Sequence, residues 1–195
     1  MASEKKPELP IIAFSSQSEW RKWLELNQDA SDGIWLQFYK KGSGVPTVVY
    51  ARALDEALCF GWIDGQLRRG DENFYLQKFT PRRKRSTWSK RNIEHVARLD
   101  SEGKMAPSGL KAVESAKADG RWDNSYDSQS NMTIPEDFLF EVSKDSKVLA
   151  FWESLNKVNK FAIVWRIQTA HKEDVRKKRM TALLAMLARG EKIHP

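Results

Sequence analysis

The sequence predicts an α+β fold, with a small antiparallel sheet packed with helices, followed by a helical C-terminal module. Residues 34–39, Ile-Trp-Leu-Gln-Phe-Tyr, are the aromatic and branched types that favour strands, and they alternate between two faces. Residues 62–79 contain two similar stretches separated by turn residues, which is typical of a β-hairpin. After residue 134 the apolar residues recur at helical spacing.

The first two helices are marked by their ends. Residues 16–19, Ser-Gln-Ser-Glu, have the spacing of a capping box, which predicts a helix that buries Trp20 and Trp23. A second helix is predicted from Val49 to Phe60, because its apolar residues keep three-and-four spacing. Gly61 is placed to end it.

The hairpin strands are predicted at residues 62–64 and 73–79, joined through the turn residues 69–72. Pro81 is expected to end the second strand, because it cannot donate a ladder hydrogen bond. Further helices are predicted near 89–101 and 107–119.

The polar stretch 123–131 separates this part of the chain from four predicted helices. We expect Ser146 to cap the second of these helices. The domain prediction is an α+β region at 14–122, a linker at 123–133 and a helical module at 134–190.

Most of the net charge of +7 lies in one segment. Residues 82–91 contain six cations and no acid, so the remaining residues sum to +1. The six cations are Arg82, Arg83, Lys84, Arg85, Lys90 and Arg91. Such a segment favours an anionic partner, whereas the alternative is a solvated basic surface.

Several classes of protein are disfavoured by what the sequence lacks. The sequence contains no run of about eighteen apolar residues, so it predicts no membrane-spanning helix. The single cysteine, Cys59, cannot form an internal disulfide, so we expect a reduced, cytoplasmic setting and a structural thiol. No metal-ligand spacing is present, and we expect no cofactor.

Three motifs resemble the YdeI/OmpD-associated family, also labelled bacteriocin-protection proteins. They are residues 57–65 (Ala-Leu-Cys-Phe-Gly-Trp-Ile-Asp-Gly), 79–82 (Phe-Thr-Pro-Arg) and 86–89 (Ser-Thr-Trp-Ser). The helices from Pro135 to Gly190 are similar to the helical module of the same family. The resemblance implies the fold and a stress or bacteriocin-resistance role. It implies no reaction.

A ligand site is predicted around the hairpin, because Trp62 and Asp64 lie two residues apart and point to the same side of a strand. The candidate ligand-binding residues are Trp62, Asp64, Tyr75, Arg82 and Trp88, with Phe79 beside them. Desolvation beside aromatic rings raises the pKa of an aspartate, which would suit Asp64 to act as a general base. An ion pair with Arg82 would instead make Asp64 structural, with the tryptophans as core.

We interpret the chain as a protein that binds an anionic small molecule or a protein partner near residues 62–88. Two other functions stay open. The basic segment 82–91 around Trp88 suits nucleic-acid binding. Asp64 as a general base would make the protein an enzyme.

Overall fold

The structure, a computed structural model, describes residues 8–127, 131–170 and 172–195. The strands are β1 (Ile11–Ala13), β2 (Ile34–Tyr39), β3 (Trp62–Arg69) and β4 (Phe74–Pro81). The helices are α1 (Gln17–Asn27), α2 (Tyr50–Cys59), α3 (Lys90–Ser101), α4 (Pro107–Ala118), α5 (Glu136–Ser143), α6 (Ser146–Ser154), α7 (Lys157–Gln168) and α8 (Glu173–Ala188). The predicted α+β class with a helical C-terminal part is confirmed.

The chain divides into two compact units. Of the residues that the structure describes, unit 1 comprises 8–86 and 94–119, and unit 2 comprises 87–93, 120–127, 131–170 and 172–195. The linker expected at 123–133 stays a prediction, because residues 128–130 lie outside the described part of the chain.

The sheet of unit 1 is mixed, which corrects the prediction of an antiparallel sheet. Its strand order is β1-β2-β4-β3. The pairs β2–β4 and β3–β4 are antiparallel, whereas β1 runs parallel to β2, with Ile12 opposite Leu36. The reason is the connection. Helix α1 lies between β1 and β2 and returns the chain so that β2 runs in the same direction as β1.

Strand β2 has one buried face, as its alternation predicts. Ile34, Leu36 and Phe38 are at most 1% exposed. On this core face the Phe38 ring meets Phe79 of β4 at 6.5 Å, and Phe79 meets Trp20 of α1 at 5.7 Å. The other face, which we call the outer face, is only half-buried. It carries Trp35 directly opposite Lys78 of β4.

The predicted capping box at residues 16–19 and the predicted helix end at Gly61 are both present, the first in a modified form. The Ser16 hydroxyl accepts a hydrogen bond from the Glu19 N–H at 3.3 Å, and the Glu19 carboxylate accepts one from the Ser15 N–H at 2.9 Å. The return bond of the capping box therefore reaches one residue further back than the standard pattern. Helix α2 ends before Gly61, whose φ of 72° favours glycine.

The hairpin is longer than the sequence predicts. Strand β3 continues past Asp64 to Arg69, with an irregular register between Asp64 and Leu67. The Gln77 amide donates to the Gly65 carbonyl at 2.8 Å, which satisfies the backbone at this irregularity. Strand β4 extends to Pro81 at its last position, because a strand end is where proline costs no ladder bond.

Helix α2 buries two adjacent acids. Asp55 accepts from Arg98 of α3 at 2.6 Å and lies 3.0 Å from His95 Nδ1. Glu56 accepts from Arg21 of α1 at 2.7 Å and from Gln17. Both acids are about 5% exposed, so ion pairs tie α2 to α1 and α3 within unit 1.

Helices α5–α8 of unit 2 form a helical bundle around an apolar core. Its buried members are Phe138, Val142, Val148, Trp152, Leu155, Ile163, Val164, Ile167, Leu183 and Leu187. Helix α6 is capped by Asp145, which accepts from Lys147 N–H and Val148 N–H, so the prediction that Ser146 caps this helix is wrong. Aspartate caps as well as serine does, and here it precedes the first helical residue.

Candidate functional site

Trp62 is a core residue. It is 1% exposed at the start of β3, and its ring lies edge-to-face against Trp20 and Trp23, with centroid distances of 6.2 and 5.7 Å. It lines none of the three cavities described below. The side of the strand that Trp62 shares with Asp64 is therefore the packed side at this position.

Asp64 is held by a tyrosine that sequence reasoning missed. The Tyr50 hydroxyl, on the first residue of α2, donates to Asp64 Oδ2 at 2.7 Å. Among the described residues this is the hydrogen bond that the structure gives the Asp64 carboxylate. Sequence spacing carries no signal for it, because Tyr50 and Asp64 lie on different elements that meet only in the fold.

Arg82 does not make the ion pair with Asp64 that the sequence left open. Its backbone N–H donates to the Gly61 carbonyl at 3.0 Å, and its Nη1 lies 3.5 Å from the Ser86 hydroxyl. In the strand register Asp64 lies opposite Phe79, and Phe79 precedes Arg82 by three residues. The end of β4 therefore carries the Arg82 side chain beyond Asp64 and into the lining of a cavity on the sheet.

Two neighbouring cavities lie at the end of the hairpin in unit 1. The first, of about 460 Å³, is lined by residues that include Trp35, Arg82, Glu8 and Asp32. The second, of about 540 Å³, is lined by residues that include Gln66, Arg85 and Ser86. Both are also lined by Lys78, Thr80, Pro81 and Arg83, which places the cavities side by side. We call them together the cationic groove.

The Trp35 ring at one end of the groove has two cations near it. Lys78 Nζ lies 5.9 Å from the ring centroid and the Arg68 guanidinium carbon lies 6.0 Å from it. Arg68 also pairs with Glu8 at 3.2 Å. These contacts set the positions of long, flexible side chains on the outer face.

The largest of the three cavities lies elsewhere in unit 1. It measures about 770 Å³, and we call it the tyrosine cavity. It is lined by Phe38, Tyr50 and Tyr75, with neighbouring residues from 39 to 49. Of the predicted ligand-binding residues, Tyr75 alone lines it, and burial raises the pKa of that phenol.

The basic segment is shared between the two units. Residues 82–86 belong to unit 1 and residues 87–91 to unit 2. Arg83, Lys84, Arg85, Lys90 and Arg91 are exposed. Lys90 already pairs with Asp127 at 2.6 Å, and the pKa of Asp127 is lowered, because the bonds from Lys90, Gln168 and the Thr133 N–H outweigh the effect of burial.

Trp88 lies in unit 2 and is 1% exposed. Its ring packs on Trp122 with a centroid distance of 5.0 Å. Stacking of a nucleic-acid base on Trp88 would require this packing to open, so the indole has the environment of a core residue.

Cys59 has the environment of a structural thiol. It is fully buried at the end of α2, and burial raises its pKa to about 11, so the nucleophilic thiolate is scarce. A Cβ at Gly109 would lie 2.0 Å from the Cys59 carbonyl oxygen, which shows how closely α4 covers this position. His95 pairs with Asp55, and His171 lies outside the described residues. Within the described ranges, no group of three or more potential metal ligands converges.

Two family models match the chain, each over a different part of it. A model described as a domain of unknown function, DUF8412, matches residues 12–112, which is half of the chain. The chain belongs to this family. A second model, described as "Bacteriocin-protection, YdeI or OmpD-Associated", matches residues 131–190. The resemblance to the YdeI/OmpD-associated family is confirmed for these C-terminal helices, whereas the three motifs at residues 57–89 lie within the DUF8412 match. No curated protein and no solved structure matches the chain.

A membrane span was not expected. In the part of the chain that the structure describes, no helix combines the length and apolar character that crossing a bilayer needs. A cytoplasmic location stays a prediction from the sequence.

Proposed function

We propose that this protein binds a compact, multiply charged anion in the cationic groove, as part of a stress or bacteriocin-protection role. The description of the family whose model matches residues 131–190 supports the bacteriocin-protection part of this role. The observation that carries the binding proposal is the cavity of about 540 Å³ at the end of the hairpin, which is lined by three cations and no acid. No reaction is assigned.

The chemistry of this cavity favours phosphate-like groups. Arg83 and Arg85 are exposed, and Lys78 contributes a third cation from the outer face of β4. Arginine guanidinium groups bind phosphate oxygens in a bidentate manner, which a lysine cannot do. Gln66 and Thr80 add an amide and a hydroxyl to the lining, so neutral donors are available beside the charges.

The adjoining cavity has a different balance. Glu8 and Asp32 line it together with Lys78, Arg82 and Arg83, so its lining is close to neutral. We therefore place the anionic group at the Arg85 end of the groove and the rest of the ligand towards Trp35.

Pyrophosphate binding tests the proposal. We expect the variant Arg83→Met/Arg85→Met to bind pyrophosphate at least about tenfold more weakly, because it loses two charge-assisted contacts. Isothermal titration measures the affinity, and the shift in unfolding temperature with pyrophosphate gives a second readout. The matched control is Lys177→Met/Lys178→Met, which removes two cations from α8 and should bind as the wild type does.

Two results would contradict the proposal. One is pyrophosphate binding that Arg83→Met/Arg85→Met leaves unchanged. The other is an equal loss in both double variants, which would show a response to net charge alone.

The nucleic-acid alternative is separated by the same titrations. Single-stranded oligonucleotides that bind far more tightly than pyrophosphate, with a salt dependence that steepens with their length, would favour it. That result would replace the small anion with a polyanion as the ligand of the basic segment.

A further inference from the structure

The tyrosine cavity is a separate recess of unit 1 that opens to solvent. Phe38 and Tyr75, opposite each other in the register of β2 and β4, stack with a centroid distance of 5.2 Å and an interplanar angle of 11°. Tyr50 meets Phe38 edge-on at 6.1 Å. The three rings form a rigid aromatic wall. The cavity volume of about 770 Å³ lies within the range of small-molecule sites.

The aromatic wall is fixed by contacts that a ligand need not supply. The Tyr50 hydroxyl is held by Asp64 at 2.7 Å, and Phe38 is 1% exposed. Such a wall favours flat rings, because stacking on a ring already held in place costs little side-chain entropy.

The Tyr75 hydroxyl is one of several polar groups that line the cavity. Among the described residues the Tyr75 hydroxyl has no hydrogen-bond partner, although the residue is half-buried. A tyrosine hydroxyl titrates at about pH 10, so it is a donor at neutral pH, and burial raises the pKa of Tyr75 further from neutrality.

Two lysines stand in the loop that borders the cavity. Lys40 Nζ donates to the Asp71 carbonyl at 2.8 Å, which tethers it away from the rings. Lys41 is exposed, and the structure gives its ammonium no partner within the described ranges. The loop therefore presents one untethered cation beside the aromatic wall.

We propose that the tyrosine cavity binds a small aromatic carboxylate, with its ring against Tyr75 of the aromatic wall and its carboxylate between the Tyr75 hydroxyl and Lys41. A single negative charge suits the single untethered ammonium. A flat ring suits the wall better than an aliphatic body does. This site is separate from the cationic groove, since the lining residues of the two share no member.

Titration of the full chain with 2-naphthoate, followed by amide chemical shifts, tests the proposal. We expect saturable shifts confined to residues around the cavity and to the loop that contains Lys41. Two analogues separate the contributions. Naphthalene-2-carboxamide keeps the rings without the charge, and acetate keeps the charge without the rings. Both should bind at least about tenfold more weakly, since one class of contact is lost in each.

Variants of the cavity sharpen the test. Tyr75→Leu should weaken 2-naphthoate binding about tenfold or more, because it removes both the stacking ring and the hydroxyl. Tyr75→Phe, which keeps the ring, and Lys41→Met should each weaken it a few-fold, roughly three to ten. The unfolding temperature of each variant shows that the comparison is made between folded proteins.

The control is Arg83→Met/Arg85→Met, which alters the cationic groove and should leave 2-naphthoate binding unchanged. A failure of the 2-naphthoate test and a failure of the pyrophosphate test are therefore independent results. The proposal is overturned if 2-naphthoate shifts residues elsewhere, if the neutral carboxamide binds equally well, or if folded Tyr75→Leu binds as the wild type does.

Discussion

Helix α2 of unit 1 and the α5–α8 bundle of unit 2 bury polar groups in different ways. Helix α2 places Asp55 and Glu56, both about 5% exposed, against cations from two other helices. The bundle instead buries an amide. Asn159 is 1% exposed, and its Oδ1 accepts from the Ile193 and His194 N–H groups at 3.0 and 2.9 Å.

The difference shows two ways of joining elements that lie far apart in sequence. A buried ion pair is strongly directional, but removal of one partner leaves an uncompensated charge. A buried amide carries no charge, so its loss costs ordinary hydrogen bonds. We therefore expect unit 1 to respond more strongly than the bundle to single substitutions at its buried polar positions.

The largest expected loss in the free energy of unfolding comes from a substitution in α2. Asp55→Ala should lower the free energy of unfolding by roughly 3 kcal/mol, because Arg98 and His95 lose a buried carboxylate partner. Urea unfolding measures the change. The double variant Asp55→Ala/Arg98→Ala should cost less than the sum of the two single variants, which is the sign of a direct interaction. Additive losses would show that the pair contributes through packing alone.

A smaller effect is expected in the bundle. Asn159→Ala should cost about 1.5 kcal/mol, because two backbone N–H groups of the C-terminal segment lose their acceptor. Amide hydrogen exchange at Ile193 and His194 should accelerate. Exchange rates of the α5 amides serve as the internal control. A loss larger than that of Asp55→Ala would reverse the contrast between the two regions.

The smallest effect concerns a surface pair of the bundle and its pH dependence. Hydrogen bonds from Arg176, at 2.5 and 2.9 Å, lower the pKa of Asp137 below its usual value. Because the folded pKa is below the unfolded value of about 3.9, the stabilisation is present above that value and is lost as pH falls through the folded pKa.

Asp137 is half-exposed, so the contribution should stay under about 1 kcal/mol. Asp137→Asn should flatten the acid side of the stability profile, measured by urea unfolding between about pH 2 and 6. An unchanged acid slope in Asp137→Asn would assign the acid sensitivity to other groups, among them Asp127 with its lowered pKa.

Local signals in the sequence predicted most elements. The strand Ile34–Tyr39 agrees with its alternation to the residue, and α2 ends where Gly61 was expected to end it. Errors arose where a long-range partner decides the structure. Strand β1 becomes parallel because α1 lies between it and β2, and β3 continues past Asp64 because Gln77 satisfies the irregular backbone.

The site was harder to predict, because parity along a strand does not show which face is covered. Trp62 and Asp64 do share a face, but that face meets Trp20, Trp23 and Tyr50. The lining of the cationic groove comes from the other face, at Trp35 and Lys78, together with the residues after the strand. Arg82 and Arg83 were predicted as anion-binding residues, and that assignment stays a prediction.

The burial of Cys59 has a practical consequence. It is the one cysteine of the chain, it lies in unit 1, and its pKa of about 11 suppresses the thiolate in the native state. Its reaction with a thiol reagent therefore requires unit 1 to open around the α2–α4 contact. The unmodified sequence thus contains a chemical reporter of opening events in one unit, which distinguishes them from unfolding of the bundle.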